Sequence, residues 1–186
     1  AALRGYPPSV GHALMALAER AGPGPAGSGG DITAIFTVLV AGADMNEPVA
    51  DILRGVLDGH VVLDRAIAER GRFPSVDALR SVSRSLPDCA SPEENALITL
   101  ARRRLAAYED AELMLQSGLY TSGADADTDA AVVAWPALDS FLASRANDGR
   151  KEAFDRLAAC LGKPPPSSVT SRAGGPASAP QPGTTA

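Results

Sequence analysis

Arg84 is the residue whose type and surroundings most directly suggest chemistry. It stands between two serines near the end of the stretch Phe73–Ser85, FPSVDALRSVSRS, which opens with an aromatic–proline pair. A guanidinium stays charged and offers a planar fork of N–H donors that matches phosphoryl oxygens. The stretch is therefore a candidate part of a phosphate-handling site.

A phosphate loop to accompany Arg84 is missing from the 186 residues. The loop pattern G-x-x-x-x-G-K-[ST] finds its glycine–lysine pair only at Gly162–Lys163, with Leu157 in place of the first glycine and Pro164 in place of the hydroxyl residue. Spacing alone leaves one alternative open for each residue. Arg84 could be a surface arginine that pairs with a nearby carboxylate, and Phe73 could be a core residue beside the turn that precedes it.

Other candidate sites are weaker. Asp125–Asp129, DADTD, resembles the start of a calcium loop, but Ala130 and Pro136 occupy the positions that require a glycine and a bidentate glutamate. His12 and His60 have no neighbouring carboxylate or cysteine, so we expect structural roles for both.

Composition excludes several classes of function. The chain has 22 acidic and 17 basic side chains and a net charge of -5, so its overall charge does not attract nucleic acid or an anionic membrane. Cys89 and Cys160 lie outside any disulfide or zinc pattern, which favours a reducing cytoplasm. The longest apolar run, beginning at Ile32, is far short of the roughly 20 residues that span a membrane.

The N-terminal half has the element order of an α/β domain. Helical spacing of apolar residues predicts a helix over Val10–Arg20, and a uniformly apolar run predicts a central strand over Ile32–Val40, buried on both faces. A second helix begins at Pro48 and ends at Gly59. A short strand HVVLD, a two-turn helix capped by Gly71 and the strand-like segment FPSVDALRSVSRS follow.

The C-terminal half is helical. Ser91–Glu94 is a capping box that opens a long amphipathic helix ending at Gly118. Further helices are predicted over Thr128–Ser144, with Pro136 starting or kinking a turn, and over Arg150–Leu161.

The block Asp31–Pro87 closely resembles the second half of the nucleotide-binding domain of the flagellar type III export ATPases. Its most specific sequences are DMNEP, DGHVVLDRAIAERGRFPSVD and SVSR. GYPPSV and ERAG fit the same pattern, and SPEENAL with YEDAELMLQSGLY resembles the family's C-terminal helical domain. The family is related to virulence-associated secretion ATPases and to the alpha and beta subunits of rotary F-type ATP synthases.

The resemblance implies an α/β fold class, namely the C-terminal half of a RecA-like P-loop NTPase domain, with a mainly parallel sheet and helices, followed by an all-α domain. We expect residues 1–87 and 88–162 to form these two parts. Residues 163–186, rich in proline, serine and glycine, have almost no side chains to bury, so we expect a disordered tail.

Four residues depart from the family pattern without removing a catalytic group. Gly11–His12 replaces larger apolar residues, Ala43 replaces an acidic residue, and Phe73 replaces a tyrosine. The family's N-terminal β-domain, phosphate loop, catalytic glutamate and magnesium-binding strand have no counterpart among these residues. We therefore expect a C-terminal fragment that does not hydrolyse ATP alone.

The resemblance assigns roles to both ends of the Phe73–Ser85 stretch. Arg84 matches the SVSR arginine, which in this family acts as an arginine finger on the γ-phosphate of ATP held by the neighbouring subunit. Phe73 with Pro74 matches the position that packs against the adenine of the subunit's own nucleotide. ATP and Mg²⁺ are implied, both held mainly by segments absent here, and no metal site is expected within these residues.

The implied assembly is a homohexameric ring at the inner face of the bacterial cytoplasmic membrane. Its implied partners are stalk-like and regulatory export proteins and the export substrates with their chaperones, whereas no nucleic acid is expected. Three alternatives stay open: a virulence secretion ATPase, a rotary ATP synthase subunit, and a non-catalytic truncated homologue that acts as a binding or assembly module.

Overall fold

The structure, a computed structural model, describes residue 7 and residues 9–25, 30–40, 47–145 and 149–166. The chain divides between Leu86 and Pro87 into two compact units. Most of the tail for which disorder was expected, residues 167–186, lies outside the described residues.

Two helices of the first unit pack against each other. They are α1, Ser9–Ala18, and α2, Pro48–Val56, which has proline in its first turn as predicted. Gly11 lies where the helices approach closely, because a Cβ on it would stand 3.1 Å from Ile52 Cδ1. The absence of a side chain at Gly11 thus permits the close approach of α1 to Ile52 of α2.

The rest of the first unit is a strand pair with a short helix between the strands. Strands β1, Gly59–Leu63, and β2, Val76–Ser83, pair antiparallel, and α3, Arg65–Glu69, connects them. The Asp64 side chain caps α3 by accepting from two backbone N–H groups of its first turn. The strand predicted at HVVLD is confirmed, and the segment FPSVDALRSVSRS, predicted as irregular or strand-like, forms a strand over Val76–Ser83. The described strands pair antiparallel, whereas a mainly parallel sheet was expected.

The predicted central strand over Ile32–Val40 is wrong. Residues 33–40 have no strand pairing, and the segment's one bridge joins Ile32 to Gly22. Ile35 and Leu39 are 91% and 94% exposed, although Phe36 and Val38 on alternate positions are half-buried. An extended apolar run becomes a strand only when a neighbour pairs with its backbone groups, and no described residues do so here.

The second unit begins with the long helix α4, Pro92–Gln116. The capping box is confirmed: Ser91 Oγ accepts from the Glu94 N–H at 3.2 Å, and the Glu94 carboxylate accepts from the Ser91 N–H at 2.8 Å. Gly118, with a φ of 69°, ends the helix in a Schellman motif in which the Leu119 N–H donates to the Met114 carbonyl at 2.9 Å.

Two more helices complete the second unit. They are α5, Ala126–Ala143, and α6, Gly149–Cys160, close to the predicted bounds, and Pro136 lies inside α5. Tyr108 of α4 stacks on Trp135 of α5, with ring centroids 4.0 Å apart. The core consists of aliphatic side chains of all three helices: Leu97, Ala101, Leu105, Ala111, Ala131, Leu138, Leu157 and Ala158.

The DADTD stretch forms the start of α5. Each of its three carboxylates accepts a hydrogen bond from the same chain. Asp125 accepts from the Thr128 N–H, Asp127 from the Arg103 guanidinium, and Asp129 from the Tyr120 hydroxyl. These carboxylates therefore cap and anchor a helix terminus.

Both cysteines are free thiols. Burial raises the pKa of the Cys160 thiol, which lies 3.4 Å from the Ala137 carbonyl oxygen. Among the helices that the structure describes, none combines the length and apolar character needed to cross a bilayer.

Candidate functional site at the two ends of strand β2

Arg84 follows directly after β2, at the end where β2 meets the start of β1. Ser83 pairs with Gly59, and the Arg84 N–H donates to the Asp58 carbonyl at 2.7 Å. This bond extends the ladder by one residue. The backbone of Arg84 is therefore held in place by the strand pair.

The Arg84 guanidinium lies over the last turn of α2. Its Nη1 donates to the Gly55 carbonyl at 3.2 Å and its Nη2 to the Arg54 carbonyl at 3.0 Å. These carbonyls carry the negative end of the helix dipole, which favours a cation at this position. Arg84 therefore binds main-chain oxygens of α2, and not a carboxylate as the alternative interpretation expected.

The contacts of Arg84 are exchangeable because the residue is exposed. A neutral carbonyl oxygen is a weaker hydrogen-bond acceptor than a charged phosphoryl oxygen. Hydrogen bonds in which both groups are charged are stronger, because charge assistance roughly doubles the strength of a hydrogen bond. Arg84 can therefore leave the α2 carbonyls for an anion without breaking a buried network.

A solvent-open depression of about 410 Å³ surrounds this arginine. The side chains of α2, β1 and β2 that line it with Arg84 include Asp51, Arg54, His60 and Val82. His60 Nε2 lies 3.2 Å from the Arg80 carbonyl, so this imidazole has the structural role that the sequence indicated.

Phe73 and Pro74 lie in the loop between α3 and β2. Phe73 is 64% exposed, so the alternative that it packs in the core is wrong. The loop is fastened on both sides, since the Asp64 N–H donates to the Ser75 carbonyl at 2.9 Å and Arg72 Nη2 donates to the Val76 carbonyl at 3.1 Å. A fastened loop with an outward ring provides a preformed flat apolar surface.

The structure does not bring Phe73 and Arg84 together. Phe73 precedes the end of β2 that pairs with Leu63, whereas Arg84 follows the end that pairs with Gly59. The eight-residue strand between them spans roughly 25 Å at ~3.3 Å per residue. One nucleotide cannot place its base on Phe73 and its terminal phosphate on Arg84 unless it bridges the length of β2.

Sequence reasoning missed the partners of Arg84. The carbonyls of Arg54, Gly55 and Asp58 lie 26 to 30 residues earlier in the chain and carry no side-chain signature. The aspartate–glycine pair at the start of β1, Asp58–Gly59, was the one available signal, because such a pair marks a tight corner.

The side chains that could ligate a metal do not cluster in the described part of the chain. No set of three or more histidine, cysteine, aspartate or glutamate side chains there is placed to hold an ion. Arg84 suits phosphoryl oxygens and Phe73 suits a base, whereas a Mg²⁺ ion has no ligand set among these described residues.

Two family models match the chain, one in each unit. Residues 1–83 match the ATP synthase alpha/beta family, nucleotide-binding domain, and residues 90–158 match the T3SS EscN ATPase C-terminal domain. The fold and these matches thus define part of a RecA-like ATPase domain followed by an all-α domain, which is the fold class predicted from the sequence.

Two curated relatives of similar sequence are ATPases of flagella and of type III secretion. The flagellum-specific ATP synthase of Caulobacter vibrioides is 49% identical over 143 residues, which are 75% of this chain and 32% of the relative. The SPI-2 type 3 secretion system ATPase of Salmonella typhimurium is also 49% identical, over 74% of this chain and 31% of the relative.

Solved structures agree with this assignment. The assembled ATPase EscN from the enteropathogenic E. coli type III secretion system matches with a TM-score of 0.78 and 34% identity, over 84% of this chain and 38% of that chain. EscN in complex with its central stalk EscO matches with a TM-score of 0.72 at the same identity, over 84% of this chain and 37% of that chain.

The chain belongs to the type III export ATPases, the family of flagellum-specific ATP synthases and type III secretion ATPases. The resemblance predicted from the sequence blocks is confirmed. The chain spans about a third of the length of the curated relatives it matches.

Proposed function

We propose that this chain supplies a trans-acting arginine and an adenine-packing ring to a ring-forming ATPase that energises type III protein export for flagellum assembly. The observation that carries the proposal is the placement of Arg84 and Phe73, both exposed, at opposite ends of β2. Two groups so far apart serve two nucleotides more readily than one. Phe73 then faces the subunit's own nucleotide and Arg84 faces the nucleotide of its neighbour.

Arg84 acts on the developing charge of the transferred phosphoryl group. Its two η-nitrogens already donate in parallel to two carbonyl oxygens of α2, which is the fork geometry that phosphoryl oxygens accept. On assembly the guanidinium exchanges these carbonyls for the oxygens of the neighbour's nucleotide. Arginine fingers of this kind accelerate phosphoryl transfer by about 10³ to 10⁵.

Phe73, supported by Pro74, packs against adenine. The ring offers an exposed face, and phenylalanine keeps the π surface of the family's tyrosine while lacking only the hydroxyl. Mg-ATP supplies the transferable phosphoryl group. The phosphate loop and Mg²⁺ ligands lie outside these residues, so the 186-residue chain alone has no turnover.

The assembly is a homohexameric ring that meets a central stalk and regulatory export proteins at the inner face of the cytoplasmic membrane, and that delivers export substrates. The related ATPase EscN, seen assembled and with its central stalk EscO, supports self-assembly and a stalk partner. Residues 1–87 then belong to the nucleotide-binding domain and residues 88–162 to the helical domain.

A role in virulence secretion is the second candidate. The flagellar relative of C. vibrioides and the SPI-2 ATPase of S. typhimurium are each 49% identical to this chain. Sequence similarity therefore does not separate the two. Neighbouring genes decide, because flagellar genes and secretion-needle genes cluster with their own ATPase.

The test uses a complete subunit, meaning a polypeptide that carries these residues together with a phosphate-loop segment. Arg84→Ala is expected to lower kcat about 10³-fold or more, and Arg84→Lys to recover only part, because lysine keeps the charge without the fork. Arg65→Ala is the matched control, since Arg65 is an exposed arginine of α3 that pairs with Glu69.

Mixing variants tests the trans action. Subunits with Arg84→Ala keep an intact phosphate loop, and subunits with a replaced phosphate-loop lysine keep an intact Arg84. Mixed rings are expected to hydrolyse ATP well above the sum of the separate variants. Mixtures no more active than that sum, or ATP turnover by the purified 186-residue chain that Arg84→Ala abolishes, would overturn the proposal.

A further inference from the structure

Gly59 lies at the point where the backbone of β1 comes closest to the end of β2. A Cβ at this position would stand 2.6 Å from the Val82 carbonyl oxygen and 3.2 Å from Ser83 Cα. Both atoms belong to the main chain, so neither can rotate away. The φ of Gly59 is not in the left-handed region, and the position therefore requires glycine for its lack of volume.

This close approach sets the position of Arg84. Gly59 pairs with Ser83, the residue before Arg84, and the preceding Asp58 carbonyl accepts from the Arg84 N–H at 2.7 Å. The two carbonyls that receive the guanidinium, those of Arg54 and Gly55, lie on the same α2–β1 corner. The corner formed by residues 54–59 thus holds Arg84 by its main chain and by its side chain.

We infer that Gly59 is a positioning residue for Arg84, an inference that rests on the proposed trans action of this arginine. A side chain at Gly59 would push the end of β2 away from the corner by roughly half an ångström, since contacts below about 3.0 Å are not tolerated. In enzymes generally, misplacement of a reacting or catalytic group by about 1 Å can lower the rate by about 10²-fold. Gly59 thus contributes to catalysis without touching the substrate.

The test compares Gly59→Ala with Arg84→Ala in the complete subunit. Gly59→Ala is expected to lower kcat by about ten- to a hundredfold and to leave the KM for ATP within about twofold, because the subunit's own Phe73 lies at the far end of β2. Gly30→Ala is the glycine control. No atom lies within 4 Å of the Cβ that this change would add, and Gly30 neither lines the depression around Arg84 nor binds the Arg84 guanidinium. It is expected to leave kcat and KM unchanged.

Mixed rings separate positioning from general loss of structure. Gly59→Ala subunits, whose phosphate loop is intact, are mixed with subunits that lack the phosphate-loop lysine, and incorporation is followed by size-exclusion chromatography. Rescue above the sum of the separate activities, as for Arg84→Ala, is the expected result. Incorporation without rescue overturns the inference, and so does failure of Gly59→Ala subunits to fold and enter rings, because Gly59 would then support the fold as a whole.

The same experiment keeps the two proposals apart. If Arg84→Ala subunits are rescued in mixed rings and Gly59→Ala subunits are not, the positioning role of Gly59 is wrong and the trans arginine stands. If Arg84→Ala subunits are not rescued either, the proposed function itself fails.

Discussion

Arg84 and Phe73 are two exposed side chains whose positions are set by their neighbours. Arg84 donates to carbonyls of α2, while Phe73 stands on a loop fastened at Ser75 and Val76. Neither side chain is buried. Their placement therefore depends on the backbone around them and not on core packing.

The role of Phe73 is tested by substitution in the complete subunit. Phe73→Ala is expected to raise the KM for ATP roughly tenfold, because stacking of a base on an aromatic ring is worth about 1–3 kcal/mol. Phe73→Tyr keeps the ring and is expected to restore the parental KM. Steady-state ATPase kinetics measure both values. A fall in kcat at constant KM in Phe73→Ala would contradict adenine packing.

At the scale of the elements, helix termini were the most predictable features. The capping box at Ser91 and the glycine stop at Gly118 each depend on residues within one helical turn, and both are present. The segment Ile32–Val40 shows the opposite case. Its apolar, β-branched composition permits a strand, but pairing requires a partner strand that the described residues do not provide.

The N-terminus of α5 predicts a dependence of stability on pH. Hydrogen bonds from Thr128 hold the pKa of Asp125 below its ordinary value, and the hydrogen bond from Arg103 does the same for the pKa of Asp127. A lowered folded-state pKa stabilises the helical unit above the unfolded-state pKa of about 3.9. That stabilisation is lost as the pH falls through the lower folded-state value.

Asp125→Asn isolates this titration from the capping hydrogen bond. Asparagine is an equally good cap but carries no charge, so the variant is expected to show a smaller loss of thermal stability as the pH falls below the unfolded-state pKa of about 3.9. Asp125→Ala removes the cap as well and should melt lower at pH 7. Near-ultraviolet circular dichroism of the stacked Tyr108–Trp135 pair follows unfolding. An unchanged pH profile in Asp125→Asn would contradict the assignment.

At the scale of the whole molecule, the two units differ in how they cover their apolar side chains. In the first unit, Ile35, Leu39, Val61 and Leu63 are each more than two-thirds exposed. The second unit also exposes Leu113, Leu119 and Val133, at 77%, 77% and 81%, but among the described residues it buries eight apolar residues against four in the first unit. Large exposed apolar side chains next to unpaired strand edges favour association.

Separate expression of the two units tests this difference. Residues 87–166 are expected to be monomeric and to unfold cooperatively in urea, as reported by Trp135, the single tryptophan of the chain. Residues 1–86 are expected to aggregate or to remain partly ordered. Size-exclusion chromatography and circular dichroism give the comparison. A monomeric first unit with two-state unfolding would show that its exposed side chains need no further cover.

Local sequence determined the helix caps, the turns and the family, because these depend on side chains close together along the chain. The resemblance of SVSR and DGHVVLD to the family predicted a role for Arg84 at a nucleotide, and that role stays a prediction. Only the tertiary structure decided that Arg84 lies on the α2 carbonyls, that Phe73 lies at the far end of β2, and that Gly59 must lack a side chain. For Arg84 and Gly59 the physical reason is that their positions depend on main-chain atoms from more than 20 residues away, and main-chain atoms have the same chemistry in nearly every residue.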